Sequence, residues 1–178
     1  TYPYQPENIW EIVGMRNMSY KQDTGENLYR RTVYNFWKRM APPASLDIFN
    51  APSREASCVR RDRTNTPLQA LVTLNDPQYV EASRMLAQHT LQAGGDDAAR
   101  LGAAAMRLLC RPLRAEETAI LTDSLARLRG HYAAKPADAE ALLKVGDSKS
   151  DEKLPKAELA AWTMVCNQLL NLDEVLNK

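Results

Sequence analysis

From Thr66 onward the apolar positions recur at helical spacing, and polar caps punctuate them. "TPLQ" reads as a capping box, with Thr66 at the N-cap, Pro67 in the first turn and Gln69 three residues on. "NDPQYVEASRMLAQHTL" repeats the device with Asp76 and Pro77, so two helices meet at a sharp corner at Asn75–Asp76. "GGDDAARLGAAAMRLLC" starts a third, with Leu101, Ala104, Ala105, Leu108 and Leu109 on one face and Pro112 as its stop. A fourth, "AEETAILTDSLARLRGHY", has Glu116 and Glu117 at its start and Arg127 and Arg129 at its end, as the helix dipole favours. A short helix is predicted at 137–144, then a polar loop, "VGDSKSDEK". The last long helix, "PKAELAAWTMVCNQLLN", buries Leu159, Trp162, Thr163, Cys166, Leu169 and Leu170. No strand alternation is found after residue 66.

The first 65 residues read differently. "YPYQP" suits an extended segment, a turn of helix is predicted at 7–13, and "DTGEN" is a loop. "NLYRRTVYNFWKRM" sets Tyr29, Val33, Phe36, Trp37 and Met40 at helical spacing, with Arg31, Lys38 and Arg39 opposite. A strand over Leu28–Tyr34 is the rival, because β-branched and aromatic residues cluster there. "SLDIF" is expected to form one turn capped by Ser45. The fold class is all-α: an irregular arm over 1–65 with one helix, then a bundle of about six helices over 66–178. Residues 1–178 are read as a single domain, and a chain starting at Thr1 rather than Met is expected to be a fragment or a processed product.

Charge sharpens the picture. Net charge is +1, which argues against nucleic acid as a partner, but the balance is uneven. Residues 28–63 hold eight Lys/Arg and three Asp/Glu (net +5), and residues 138–178 hold five Lys and eight Asp/Glu (net −3). Nine of the twelve aromatics lie at or before Phe49, which suits packing or stacking on sugar rings. No apolar run approaches the roughly 18 residues of a membrane span. Cys58, Cys110 and Cys166 form no CxxC or CxxCH, so zinc and covalent haem have no support within the chain. Free buried cysteines are expected, one disulfide being the alternative. His89 and His131 stand 42 residues apart on surface helices, and no metal site or catalytic residue is nominated.

Arg54, Arg60, Arg61 and Arg63 lead into the Thr66 helix start. A helix N-terminus carries about half a positive charge, so guanidinium groups beside it call for an anion. The three readings are a carboxylate of the chain itself (Glu55, Asp62, Asp76 or the acidic C-terminal segment), an external sulfate, phosphate or sugar carboxylate, and a solvated loop.

"YQPENIWE", the run from Leu28 to Ala87, "LLCRPLRAEETAIL" and the closing "LLNLDEVL" resemble the planctomycete-specific C-terminal domain known as domain of unknown function 1553. It ends planctomycete cytochrome c-like proteins, and Ser53–Asp76 is the most specific part of the match. The resemblance implies a large exported protein, periplasmic or at the cell surface. It also implies a c-type haem in an upstream domain, with no cofactor in this chain, and a start within the family domain. It transfers no catalytic residues. The expected role is a structural or interaction module whose partners are upstream domains. The alternatives are binding of acidic or sulfated polysaccharide at the arginine corner, or part of an enzyme of polysaccharide breakdown.

Overall fold

A computed structural model describes residues 1–12 and 19–177. Its helices are α1 (Ile9–Ile12), α2 (Ala44–Ile48), α3 (Pro67–Asn75), α4 (Pro77–Gln92), α5 (Asp97–Leu109), α6 (Ala115–Ala134), α7 (Pro136–Leu143), α8 (Lys156–Leu170) and α9 (Asp173–Leu176). Among the described residues there is no strand, only an isolated bridge between Lys38 and Ala41. The all-α class holds, with six helices of eight residues or more among those described. The chain divides into two compact units, residues 1–69 and 70–178.

In the C-terminal unit α8 is the hub, packed against α4, α5, α6, α7 and α9. A helix apolar on one stripe faces one neighbour, whereas a hub must be buried nearly all round. Accordingly Leu159, Ala160, Ala161, Trp162, Thr163, Val165, Cys166, Asn167 and Leu169 are all buried, and Leu170 less so. Small alanines let the neighbouring helices approach, and Leu101, Ala104, Leu121, Leu125 and Tyr132 close the core around them. Helix ends follow the sequence signals. Asp76 caps α4 by accepting from the Gln78 N–H at 2.9 Å, and Asp96 caps α5 by accepting from the Ala99 N–H at 2.8 Å. Helix α5 stops two residues before Pro112, at a left-handed Cys110 (φ 58°).

Polar groups stitch this unit as firmly as apolar ones. Glu81, Arg84, Gln88 and Gln92 form one stripe of α4 and hold the segment that follows α7. Buried Arg84 donates to the Leu143 and Ser148 carbonyls and to the Ser148 hydroxyl (2.9 Å). Buried Glu81 accepts the Asp147 and Ser148 N–H groups at 3.1 and 2.7 Å. Gln88 accepts the Asp151 N–H at 3.0 Å, and Gln92 donates to the Asp151 carboxylate at 2.8 Å. The polar loop of the sequence is therefore a strap. Gly146 gives it its bend at φ 94°, and a methyl there would fall 2.7 Å from the Glu81 Cβ and 2.6 Å from its Cδ.

Two further arginines tie helices together. Arg129 of α6 reaches Asp97 of α5 and Glu158 of α8, and Glu158 also accepts from the Trp162 indole at 2.9 Å. Arg111 grips Glu117 (2.9 Å) and Glu174 (2.7 Å) with its guanidinium fork. Hydrogen bonds from Arg129 hold Asp97 and Glu158 below the usual carboxylate range. Those from Arg111, with the Arg114 N–H second, hold Glu117 down from 4.5 to about 2.

The N-terminal unit departs from the pattern. The helix predicted over 27–40 is replaced by two 3-10 turns, Gly25–Tyr29 and Thr32–Tyr34. The rival strand over Leu28–Tyr34 does not form either. Phe36 N–H bonds to the Thr1 carbonyl at 2.7 Å, and Tyr2 stacks on Phe36 with ring centres 5.2 Å apart. Contacts with residues far back in the chain thus take the place of the helical ladder. Tyr29, Val33, Phe36 and Met40, expected on a buried face, are exposed. Helix α2 begins two residues early, at Ala44 with Pro43 before it, so Ser45 lies inside it rather than capping it. The helix expected at 7–13 is present as α1, and position 13 lies outside the described residues.

Two measurements check this packing. Gly146→Ala is expected to cost about 2–4 kcal/mol in urea unfolding, from positive-φ strain plus the collision with Glu81. Gly94→Ala, also at positive φ but facing open space, should cost only about 1 kcal/mol. Equal losses would contradict the strap. For Glu117 the folded carboxyl is depressed, so its stabilisation is complete above pH 4.5 and disappears as pH falls through about 2. Glu117→Gln should therefore melt below wild type at pH 7, and the two curves should converge between pH 4.5 and about 2. A gap that stays constant across that range would contradict the Arg111 clamp.

Candidate functional site

The arginine segment is a loop with a knotted base. Asn50, in the left-handed region at φ 54°, donates from its side chain to the Thr64 hydroxyl at 2.7 Å. Gln69 donates to the same hydroxyl at 2.8 Å and to the Ile48 carbonyl at 3.0 Å. Residues 51–63 are thus closed at both ends by side chains, the arrangement of an Ω-loop. The Thr66 capping box forms as read: Gln69 N–H donates to the Thr66 hydroxyl at 3.3 Å, and Thr66 N–H donates to the Gln69 carbonyl oxygen at 3.0 Å. A neutral hydroxyl and a neutral amide therefore serve the start of α3.

The four arginines separate into one that is used and three that are not. Arg54 (φ 64°) donates to the Asn35 and Thr32 carbonyls at 3.2 and 3.3 Å and lies 5.3 Å from the Trp37 ring centre. It pins the loop to the second 3-10 turn. Arg60, Arg61 and Arg63 are exposed, and their guanidinium groups make no hydrogen bond or ion pair with any described residue. The chain's own carboxylates do not neutralise them. Glu55 pairs with Arg39, Asp76 is committed to capping α4, and Glu174 to Arg111. Within the N-terminal unit no carboxylate of the described residues meets these three guanidinium groups, and the capping box already serves the helix start. Val59, fully exposed, sits beside Arg60 at the outer part of the loop.

Sequence reasoning missed Asn50 and Thr64, which set the loop's ends. The available signal was "FNAP", an asparagine before a proline-containing turn. Gln69 was identified only as a capping residue, whereas it also bridges the base.

The other candidate chemistries stay apart. Cys58 and Cys110 are exposed and Cys166 is buried, all three free, so burial accounts for only one of them. Burial pushes the Cys166 thiol up to about 12, which leaves it a packing group. Cys58 Sγ approaches the Arg60 carbonyl at 3.3 Å and meets no histidine. His89 is exposed in the last turn of α4, and His131 lies 3.2 Å from Asp138. Among the described residues no three His, Cys, Asp or Glu side chains converge as a metal would require, and no helix is long and apolar enough to cross a membrane.

Comparison with known proteins gives one family match. Neither a curated protein nor a solved structure matches the chain. The model of the PSD1 family, described as a protein of unknown function (DUF1553), matches residues 1–125, which contain the whole arginine loop, its base and the Thr66 cap. By that match, which covers more than half of its length, the chain belongs to the DUF1553 family.

Proposed function

We propose that this chain is an interaction module that engages an acidic partner through the loop 51–63, and that acidic or sulfated polysaccharide is the ligand class its chemistry fits. The observation carrying this reading is that Arg60, Arg61 and Arg63 are exposed and meet no carboxylate of the described chain. In the C-terminal unit Arg84, Arg111, Arg127 and Arg129 meet carboxylates. Forked guanidinium groups bond sulfate and carboxylate oxygens in pairs, and a loop fixed at its base loses little freedom when it binds. A near-neutral chain with Asp62 among these arginines suits a spaced polyanion better than the dense charge of nucleic acid.

A second reading is favoured by Tyr29, Val33, Tyr34 and Met40, which are large, apolar and exposed. They suit contact with another domain of the exported, haem-bearing polypeptide that the resemblance implies. Peroxide oxidation of Met40 should then slow in a longer polypeptide carrying that domain, and an unchanged rate would contradict it.

For the first reading, wild type should bind immobilised heparin at low salt and elute as salt rises, since exposed charge pairs are screened. The triple variant Arg60→Ala, Arg61→Ala, Arg63→Ala should elute distinctly earlier while melting within about 1 °C of wild type, as exposed side chains contribute little to stability. Identical elution of the two proteins would remove the proposal.

A further inference from the structure

The arginine loop shares its first residues with an open cleft of the same unit. The cleft has a volume of about 760 Å³, with residues 33–37 and Arg39 on one side and Ser53, Arg54 and Glu55 on the other. The far end of the loop is tied back towards it. The Asn50 side chain donates to the Thr64 hydroxyl at 2.7 Å and to the Asp62 carbonyl at 3.4 Å. From Asn50 to Ser53 the chain can span at most about 11 Å. The backbone that carries Arg63 therefore lies within the length of a short oligosaccharide from the cleft.

Tyr34 is the most open ring of this lining. It is 64% exposed, its ring meets no other ring, and its hydroxyl has no partner among the described residues. Phe36, in contrast, stacks on Tyr2, and the Arg54 guanidinium lies 5.3 Å from the Trp37 ring centre. Arg39 spends its Nε on Glu55, and its two Nη groups meet no described residue. The charged groups of the lining are thus two guanidinium groups, Arg39 and Arg54, and one carboxylate, Glu55.

That set selects among occupants. An apolar peptide would have to strip water from Arg39 and Glu55 and return nothing for it. A nucleic-acid strand could stack a base on Tyr34, but its closely spaced phosphates would face Glu55 in the cleft and Asp62 in the loop. A pyranose residue answers each group. Its C–H face lies against the electron-rich face of an aromatic ring, its hydroxyls donate to the Glu55 carboxylate, and an acid group on it accepts from the Arg39 Nη groups. Wider spacing of charge along a glycan leaves Glu55 and Asp62 between acid groups.

We infer that the cleft between residues 33–39 and 53–55 seats one pyranose residue of an acidic glycan against the Tyr34 ring, while the loop arginines hold acid groups further along the same chain. This rests on the polyanion reading of the loop and adds a subsite that senses the sugar rather than its charge.

Two ligands separate ring from charge. Heparin hexasaccharide carries both, whereas poly(vinyl sulfonate) carries its sulfonates on a ring-free hydrocarbon chain. Calorimetry of the whole chain with each gives the affinities. Tyr34→Ala is expected to weaken the hexasaccharide about fivefold, as loss of an aromatic contact does, and to leave poly(vinyl sulfonate) unchanged. Tyr34→Phe, which keeps the ring, should bind the hexasaccharide like wild type. In wild type the Tyr34 ring signals, assigned with Tyr34→Phe, should move with the hexasaccharide and not with poly(vinyl sulfonate), a readout that does not depend on how the alanine variant folds. A Tyr34→Ala protein that binds the hexasaccharide as wild type does, or a Tyr34 ring that does not respond to it, would overturn the cleft and leave the loop standing. Equal weakening of both ligands would also overturn it. If wild type binds neither ligand, the loop reading falls together with this one. Tighter binding of oligo(dT) than of the hexasaccharide, weakened by the same Tyr34→Ala, would put single-stranded nucleic acid in place of the glycan.

Discussion

A guanidinium group taken out of water must be met by oxygens, and the C-terminal unit is organised around that requirement. Burying an unpaired charge costs several kcal/mol, more than most single contacts return. Arg84 is 1% exposed, and it is bearable only because the Leu143 and Ser148 carbonyls and the nearby Glu81 surround it. That demand fixes the path of the chain between α7 and α8. It places Gly146 against Glu81, where no other residue fits without displacement. The strap in turn delivers α8 into the centre of its neighbours, where nearly its whole surface is covered. Arg111 and Arg129 meet the same requirement at the surface by joining α5, α6, α8 and α9.

Against that background the loop between Asn50 and Thr64 is the exception. Its base is satisfied as carefully as the strap, by Asn50, Thr64 and Gln69, and Arg54 is spent on backbone carbonyls. Only Arg60, Arg61 and Arg63 are left to solvent. A loop held in shape at its base while three of its guanidinium groups meet no carboxylate fits the proposed recognition role on a fixed support.

The helices of the C-terminal unit were legible because their signals are local. Thr66, Asp76 and the acidic first turns mark starts, and the 3.6-residue period marks faces. The strap was not legible. Glu81, Arg84, Gln88 and Gln92 at helical spacing are the ordinary mark of a solvated face, and nothing local says that a loop some sixty residues later will cover them. The arm failed for the opposite reason. Tyr29, Val33, Phe36 and Met40 keep helical spacing, but β-branched and aromatic residues form helices poorly, and bonding to Thr1 and stacking on Tyr2 win. At the site, the clustering of arginines was visible and their separation was not. Repulsion from the helix start argued for an internal anion, and the Thr66–Gln69 capping box, itself visible in the sequence, removes most of that need.

The central claim is that Glu81 and Gln88 of α4 hold the strap by its backbone amides while the arginine loop is held at its base and open above it. Amide hydrogen exchange resolved by residue compares the two directly. The Asp147, Ser148 and Asp151 amides, which bond Glu81 and Gln88, should exchange slowly, within reach of the α8 amides, while the amides of Val59 to Arg61 exchange near the rate of an open chain. A strap that exchanges as fast as the loop, or a loop as protected as the strap, would contradict the account.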